Sequence, residues 1–112
     1  MEMKTRLTGA IQVVEIAGRF DTSTVPPVAA WLEQVTVVPG AQVIVNLSGT
    51  TFVDSAALAT LVQALKRCQN VKGDMYLCGM RRPVYMIFEL TRLDKVFNIF
   101  VDEDHALKAF TN

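Results

Sequence analysis

The sequence predicts an α/β domain, and three observations carry that prediction. Residues 41–47 form a nearly all-apolar run, the pattern of a strand buried on both faces. Downstream, Leu58, Leu61, Val62 and Leu65 fall at i, i+3, i+4 and i+7, one face of a helix. A second short apolar run, Met75-Tyr76-Leu77-Cys78, follows that helix. Two strands separated by a helix-length segment make a βαβ unit, parallel and right-handed. At 112 residues, 51% of them hydrophobic and with only six glycines and four prolines, the chain is expected to be one globular domain over 1–112.

The elements follow in order. Residues 3–7 are a short strand, and Gly9-Ala10 turns it into residues 11–18, where branched side chains favour a second strand. Gly18-Arg19-Phe20-Asp21-Thr22-Ser23-Thr24 reads as a loop ending in capping residues. Pro26 then falls in a first helical turn, where proline is tolerated, and Pro27 fits within the same turn. Val28, Leu32 and Val35, with Trp31 alongside, give this helix its apolar face. Pro39-Gly40 is a stop, and the apolar strand comes next. Residues 48–51 read as a small polar loop, and Ser55 as the N-cap of the central helix. That helix runs to about Asn70, with Lys66 and Arg67 in its last turns, where the helix dipole favours cations. Gly73 closes the connection to the second strand of the unit. Residues 79–82 form a loop, and Pro83 opens a short helix to about Leu90 with Val84, Ile87 and Phe88 on its apolar side. Residues 93–100 read as a last extended segment. Asp102 caps a final helix with Glu103 and Asp104 in its first turn and Ala106, Leu107 and Phe110 on its buried side.

Composition excludes several classes of function. Lysine plus arginine equals aspartate plus glutamate at 11 each, so the balance calls for neither nucleic acid nor an anionic membrane surface. No charged-then-apolar leader and no bilayer-length apolar run are visible, so a cytoplasmic chain is expected. Cys68 and Cys78 suit a reducing compartment and read as buried free thiols; with a single histidine they cannot assemble a zinc site. No phosphate-binding GxxxxGK[ST] loop or GxGxxG turn is present, so no cofactor is expected. Ser55 is not in a G-x-S-x-G elbow, and the only histidine, His105, lies 50 positions downstream, so no catalytic group is assigned and the chain does not read as an enzyme. Arg81, Arg82 and His105 read as solvated surface residues, and Asp102 with Asp104 as part of a capping turn.

Two residues invite a functional reading beside the structural one. Ser55 is by default a plain cap, yet the positive end of a helix dipole also favours an anion there by about 0.3–1 kcal/mol. Asp21 is an Asx-turn or capping residue, or else a carboxylate at a ligand-facing edge; the residues alone favour the turn. The loop before the central helix lies at the carboxyl end of a strand, where ligands and partners of open α/β sheets bind.

Asn46-Leu47 followed by Phe52-Val53-Asp54-Ser55-Ala56-Ala57-Leu58 resembles the signature of STAS domains, and more narrowly that of bacterial anti-sigma factor antagonists. Gly18-Arg19-Phe20-Asp21 is similar to the family's glycine, variable, leucine, aspartate segment. Pro83-Val84, then Phe88-Glu89-Leu90-Thr91-Arg92-Leu93, Phe97-Asn98-Ile99-Phe100 and Ala106-Leu107-Lys108-Ala109-Phe110, resemble its last third. The resemblance implies a mixed central β-sheet packed with about four helices. It implies that Ser55, directly after the motif aspartate, is a phosphorylation site. It also implies partner switching: an unphosphorylated chain that binds an anti-sigma factor serine kinase, phosphate transfer by that kinase, and reversal by a PP2C-type phosphatase. The rim expected to meet the partner comprises Asp21, Thr22, Ser23, Thr51, Asp54, Ser55, Ala56 and Leu58, on a monomer or weak dimer. Two other functions fit the same likeness: a STAS subunit of a transporter or stress-signalling assembly, and a sensor of a nucleotide or other small anion. The chain departs from the family in three places. Ala56-Ala57 replaces a pair ending in glycine, which puts a methyl where backbone approaches a partner or phosphate; Phe20 replaces leucine; and Arg92 stands where glycine is frequent.

Overall fold

Gly9, at φ 60°, makes the tight turn that lays Glu2–Thr8 (β1) antiparallel against Ile11–Phe20 (β2). The computed structural model describes residues 1–111, and Asn112 lies outside them. Beyond β2 come Val25–Val35 (α1), Gln42–Val53 (β3), Ser55–Asn70 (α2), Asp74–Cys78 (β4), Arg82–Leu90 (α3), a single 3-10 turn at Leu93–Lys95, Asn98–Phe100 (β5) and Glu103–Thr111 (α4). The sheet order is β1-β2-β3-β4-β5. Every neighbouring pair except β1 with β2 is parallel, so the sheet is mixed, and β3-α2-β4 is the expected βαβ unit.

Alternation along the strands splits the core in two. Val43, Val45 and Leu47 of β3 point with Val14, Ile16, Met75 and Leu77 into a layer closed by Leu32, Leu61, Val84 and Phe88 of α1, α2 and α3. Ile44 points the other way, with Ile11, Val13 and Cys78, under Ala106, Leu107 and Phe110 of α4. Tyr76 stacks on Phe110 at 4.0 Å between ring centroids and leans on Phe100 at 5.0 Å, which seats α4. Burial of β3 on both faces explains why its first half is nearly all apolar. Arg67, in the last turn of α2, does more than meet the helix dipole: its Nε donates to Thr36 Oγ1 at 2.9 Å, and that hydroxyl donates to Leu32 O at 2.6 Å, tying α2 to the end of α1.

Three expectations need correction. Residues 48–51 are not a loop: β3 continues through them to Val53, and β2 continues through Gly18 and Arg19 to Phe20. The two strands stay paired because the register shifts between Glu15 and Ala17 and again between Gly18 and Arg19. Bulges of this kind re-aim side chains without ending the ladder. Thr50 is thereby turned inward, and its Oγ1 donates to Ile16 O at 2.6 Å. Gly49 lies against Ala17, whose Cβ would be 2.8 Å from any Cβ added there. Residues 93–100 are not one extended segment: the chain makes the 3-10 turn first and only Asn98–Phe100 pair with β4. Arg92, at φ 64°, redirects the chain after α3, and Phe97 is buried edge-on against Phe88. The third is the cap of α2, which is Asp54 and not Ser55.

Candidate functional site

Because Phe20 pairs with Val53, β2 and β3 end side by side. The residues that follow, Asp21 and Asp54, therefore leave the sheet together at one corner. Asp54, not Ser55, is the N-cap of α2. Its backbone is extended, its Oδ1 accepts from Ala57 N at 2.9 Å, and its carbonyl accepts from Leu58 N at 3.0 Å. An aspartate at this position brings a full negative charge to the positive end of the helix, which a serine hydroxyl does not. Ser55 becomes the first helical residue, exposed and with no side-chain hydrogen bond among the described residues. The first N–H groups of a helix lack intrahelical acceptors; Asp54 takes that of Ala57, which leaves those of Ser55 and Ala56.

The second oxygen of Asp54 reaches across to the loop between β2 and α1. Oδ2 accepts from Thr22 N at 2.9 Å and from Thr22 Oγ1 at 3.0 Å. That loop is closed on itself by Asp21, whose Oδ1 accepts from Ser23 N at 3.1 Å and Ser23 Oγ at 2.8 Å, the Asx turn that the residues favoured. Thr24 does not cap α1 with its side chain. Its hydroxyl instead donates to Arg19 O at 2.9 Å and accepts from Asp21 N at 2.8 Å, so it braces the loop from within. Arg19 lies over the ring of Phe52, 4.1 Å from its centroid, and its Nε is 3.3 Å from Asp21 Oδ2.

These donors shift the carboxyls. Asp21 is held below its ordinary value of 3.8, chiefly by the Ser23 hydroxyl, with partial burial working against it and the Arg19, Ser23 backbone and Thr24 bonds adding to it. Asp54 is also held below 3.8, chiefly by the Ala57 N–H and further by both Thr22 donors; partial burial and the nearby charge of Asp21 push it back up.

Most of the predicted rim is thus brought together: Asp21, Thr22, Ser23, Asp54, Ser55 and Ala56 share this corner, and Thr51 is exposed on the last stretch of β3. Leu58 is not part of it: at 8% exposure it is packed into the core. Ala57 is buried as well, so its methyl does not obstruct the surface as the loss of glycine suggested; it fills core beneath the helix end. Three residues take contacts that no local pattern shows. The Arg19–Phe52 pair forms only because the strand ladder places them opposite each other. Arg81, read as solvated, donates from Nε to Ser48 O at 2.8 Å and pins the start of α3 to β3. Asp102 caps α4 as expected, accepting from His105 N at 2.9 Å, and lies 2.6 Å from His105 Nδ1. No cluster of three or more metal-ligating side chains occurs among the described residues, and no helix there is long and apolar enough to cross a membrane.

The STAS domain model matches residues 2–106. The chain belongs to the STAS domain family. Its STAS domain is 29% identical over 99 residues to the anti-sigma-B factor antagonist of Listeria monocytogenes, covering 88% of this chain and 86% of that protein. Among solved structures, an anti-sigma factor antagonist from Mycobacterium paratuberculosis superposes with a TM-score of 0.87 at 22% identity, covering 99% of this chain and 94% of that one. The Bacillus cell fate determinant SpoIIAA in its phosphorylated form gives 0.75 at 18% identity, with 97% and 99% covered. A sulfate transporter family protein from Wolinella succinogenes gives 0.74 at 18% identity, with 93% and 87% covered. Within the STAS domain described here, Phe20 is fully buried, so the exchange from leucine is absorbed by the core.

Proposed function

We propose that this STAS domain is an anti-sigma factor antagonist that works by partner switching in the cytoplasm, as a monomer or weak dimer. Unphosphorylated, it binds an anti-sigma factor that is also a serine kinase. Phosphorylation of Ser55 ends that binding, and a PP2C-type phosphatase restores it. The observation that carries the proposal is Ser55 itself: an exposed, unbonded hydroxyl on the first turn of α2, directly beside a carboxylate that already has its own partners. The likeness to the Listeria anti-sigma-B factor antagonist supports the reading.

The physics is local. A phosphoryl group adds roughly −1.5 to −2 charges at neutral pH. On Ser55 it meets the positive end of α2 and two N–H groups without intrahelical acceptors, so the fold need not change. It also enlarges the negative charge of a corner that holds Asp21 and Asp54. A docked partner surface matched to the neutral hydroxyl then faces an extra dianion. A loss of about 2.7 kcal/mol is a hundredfold in affinity.

The test uses the anti-sigma factor kinases of the host, each purified and supplied with ATP and magnesium. Radiolabel is expected on the wild type and absent from Ser55→Ala, which keeps its affinity for the kinase; Ser55→Asp is expected to bind about a hundredfold more weakly. Equal labelling of wild type and Ser55→Ala, or undiminished binding by Ser55→Asp, sinks the proposal. The likeness to the sulfate transporter family protein favours a second reading, a constitutive transporter subunit. Under that reading the chain co-purifies with a membrane protein and Ser55 carries no phosphate in any growth condition.

A further inference from the structure

We infer that Asp54 is a positioning residue rather than a partner contact: it docks the loop between β2 and α1 onto the mouth of α2, so that Ser55 and residues 21–24 are presented to the partner as one rigid surface. This rests on the function proposed above. A carboxylate offers about four acceptor positions. Three are occupied from inside the molecule, one by Ala57 N and two by the backbone and hydroxyl of Thr22. The two oxygens are divided by task. Oδ1 serves the helix, and Oδ2 serves a loop 32 residues earlier in the chain.

Among the described residues, no other hydrogen bond ties that loop to α2. Its other polar contacts are internal or run back to β2: Ser23 to Asp21, Thr24 to Arg19 and Asp21, Arg19 to Asp21. Thr22 contributes both of its donors to the same oxygen, and its side chain makes no other bond among the described residues. A loop held by its neighbours alone samples many positions, and a partner must then order it on binding at a cost in affinity. Held by Asp54, it is ordered in advance.

The two tasks of Asp54 can be separated. In Asp54→Asn the amide oxygen keeps the cap on Ala57 N, because asparagine is as good an N-cap as aspartate, whereas its NH2 group cannot accept from Thr22. Thr22→Val removes the hydroxyl donor and leaves the cap untouched. The experiment measures amide hydrogen exchange at Thr22, Ser23 and Ala57, and binding to the purified host anti-sigma factor kinases. In Asp54→Asn, exchange at Thr22 and Ser23 is expected to rise at least tenfold while Ala57 stays protected, and Kd is expected to rise at least tenfold. In phosphorylation of Ser55, KM is expected to rise with kcat unchanged, and continued protection of Ala57 separates this from a loss of folded substrate, which would raise the apparent KM as well. Thr22→Val is expected to weaken binding at least threefold, and the double variant no further than Asp54→Asn alone, since both act through one contact. Wild-type exchange at Thr22, wild-type Kd in Asp54→Asn, or fully additive effects overturn the inference while leaving the proposed function standing. Should Asp54→Asn not fold, Thr22→Val decides alone, with unchanged Kd as the overturning result. A wild type that binds none of the kinases removes the proposed function and this inference with it.

Discussion

Arg92 holds a left-handed backbone at φ 64° just past Thr91, the C-cap of α3, a conformation that costs an L-residue with a Cβ roughly 1–2 kcal/mol. Replacing it with glycine relieves that cost but adds freedom to the unfolded chain. The balance favours Arg92→Gly by about 0.5–1 kcal/mol, to be read as a shift in the urea midpoint at constant m. A second prediction concerns acid. Asp21, Asp54 and Asp102 titrate below 3.8 when folded, the last chiefly through His105. As pH falls the unfolded chain takes up protons first, so the stability these carboxylates contribute is complete above 3.8 and is lost as the pH drops through their folded values. A melting temperature that is flat near neutrality and falls below about pH 4 is expected, with a shallower fall in Asp54→Asn. At this scale the sequence was readable up to a choice between neighbours. Asp54 and Ser55 are both good caps, and periodicity cannot say which one starts the helix. The answer depends on where β3 stops, and that is set by pairing with β2, a partner far away in the chain.

Among the elements, the connection from α2 to β4 is the least forgiving. A Cβ at Gly73 would lie 2.1 Å from Ala41 O, a carbonyl that already accepts from Asp74 N at 2.9 Å. Backbone on both sides leaves nothing to yield, so Gly73→Ala is expected to cost about 3 kcal/mol or to prevent folding, measured by chemical denaturation. Phe88 anchors α3 against Phe97 and is fully buried. Phe88→Ala is expected to cost about 3–5 kcal/mol, a large part of the about 5–15 kcal/mol available to a domain. The four helices and the four longer strands were all visible in the sequence, because each carries its own period and its own stop. The second half of β3 was not. Its Ser48-Gly49-Thr50-Thr51 looks like a loop by composition, and only the bulged ladder to β2, with Thr50 bonded to Ile16, makes it strand. The candidate site inherits this: its residue types were legible, but the bridge from Asp54 to Thr22 joins segments that no local pattern relates.

Taken whole, the molecule is unequally clad, with three helices over one face of the sheet and α4 alone over the other. Both cysteines are buried, Cys68 on the inner side of α2 and Cys78 on the sheet under α4. Burial pushes the Cys68 thiol up to about 11 and the Cys78 thiol up to about 12. Neither is expected to react with a thiol reagent at neutral pH until the domain unfolds, and reaction of Cys78 alone would report that α4 has lifted while the rest stays folded.

The sheet order also bears on how the molecule is made. Each strand pairs with the strand before it in the chain, from β1 through to β5. No strand must wait for a later one to be inserted between itself and its neighbour, so the sheet can grow in the direction of synthesis, one crossover at a time. The β1–β2 hairpin, closed by a two-residue turn, supplies the seed, the long β2–β3 ladder follows, and the three-residue β5 comes late. Because short loop closures precede long ones, entropy is surrendered in small steps. Pulse-labelled hydrogen exchange during refolding is expected to protect β2 and β3 before β5. The ion pair from Arg6 on β1 to Glu103 on α4, which joins the earliest strand to the last helix, is then among the final contacts to form.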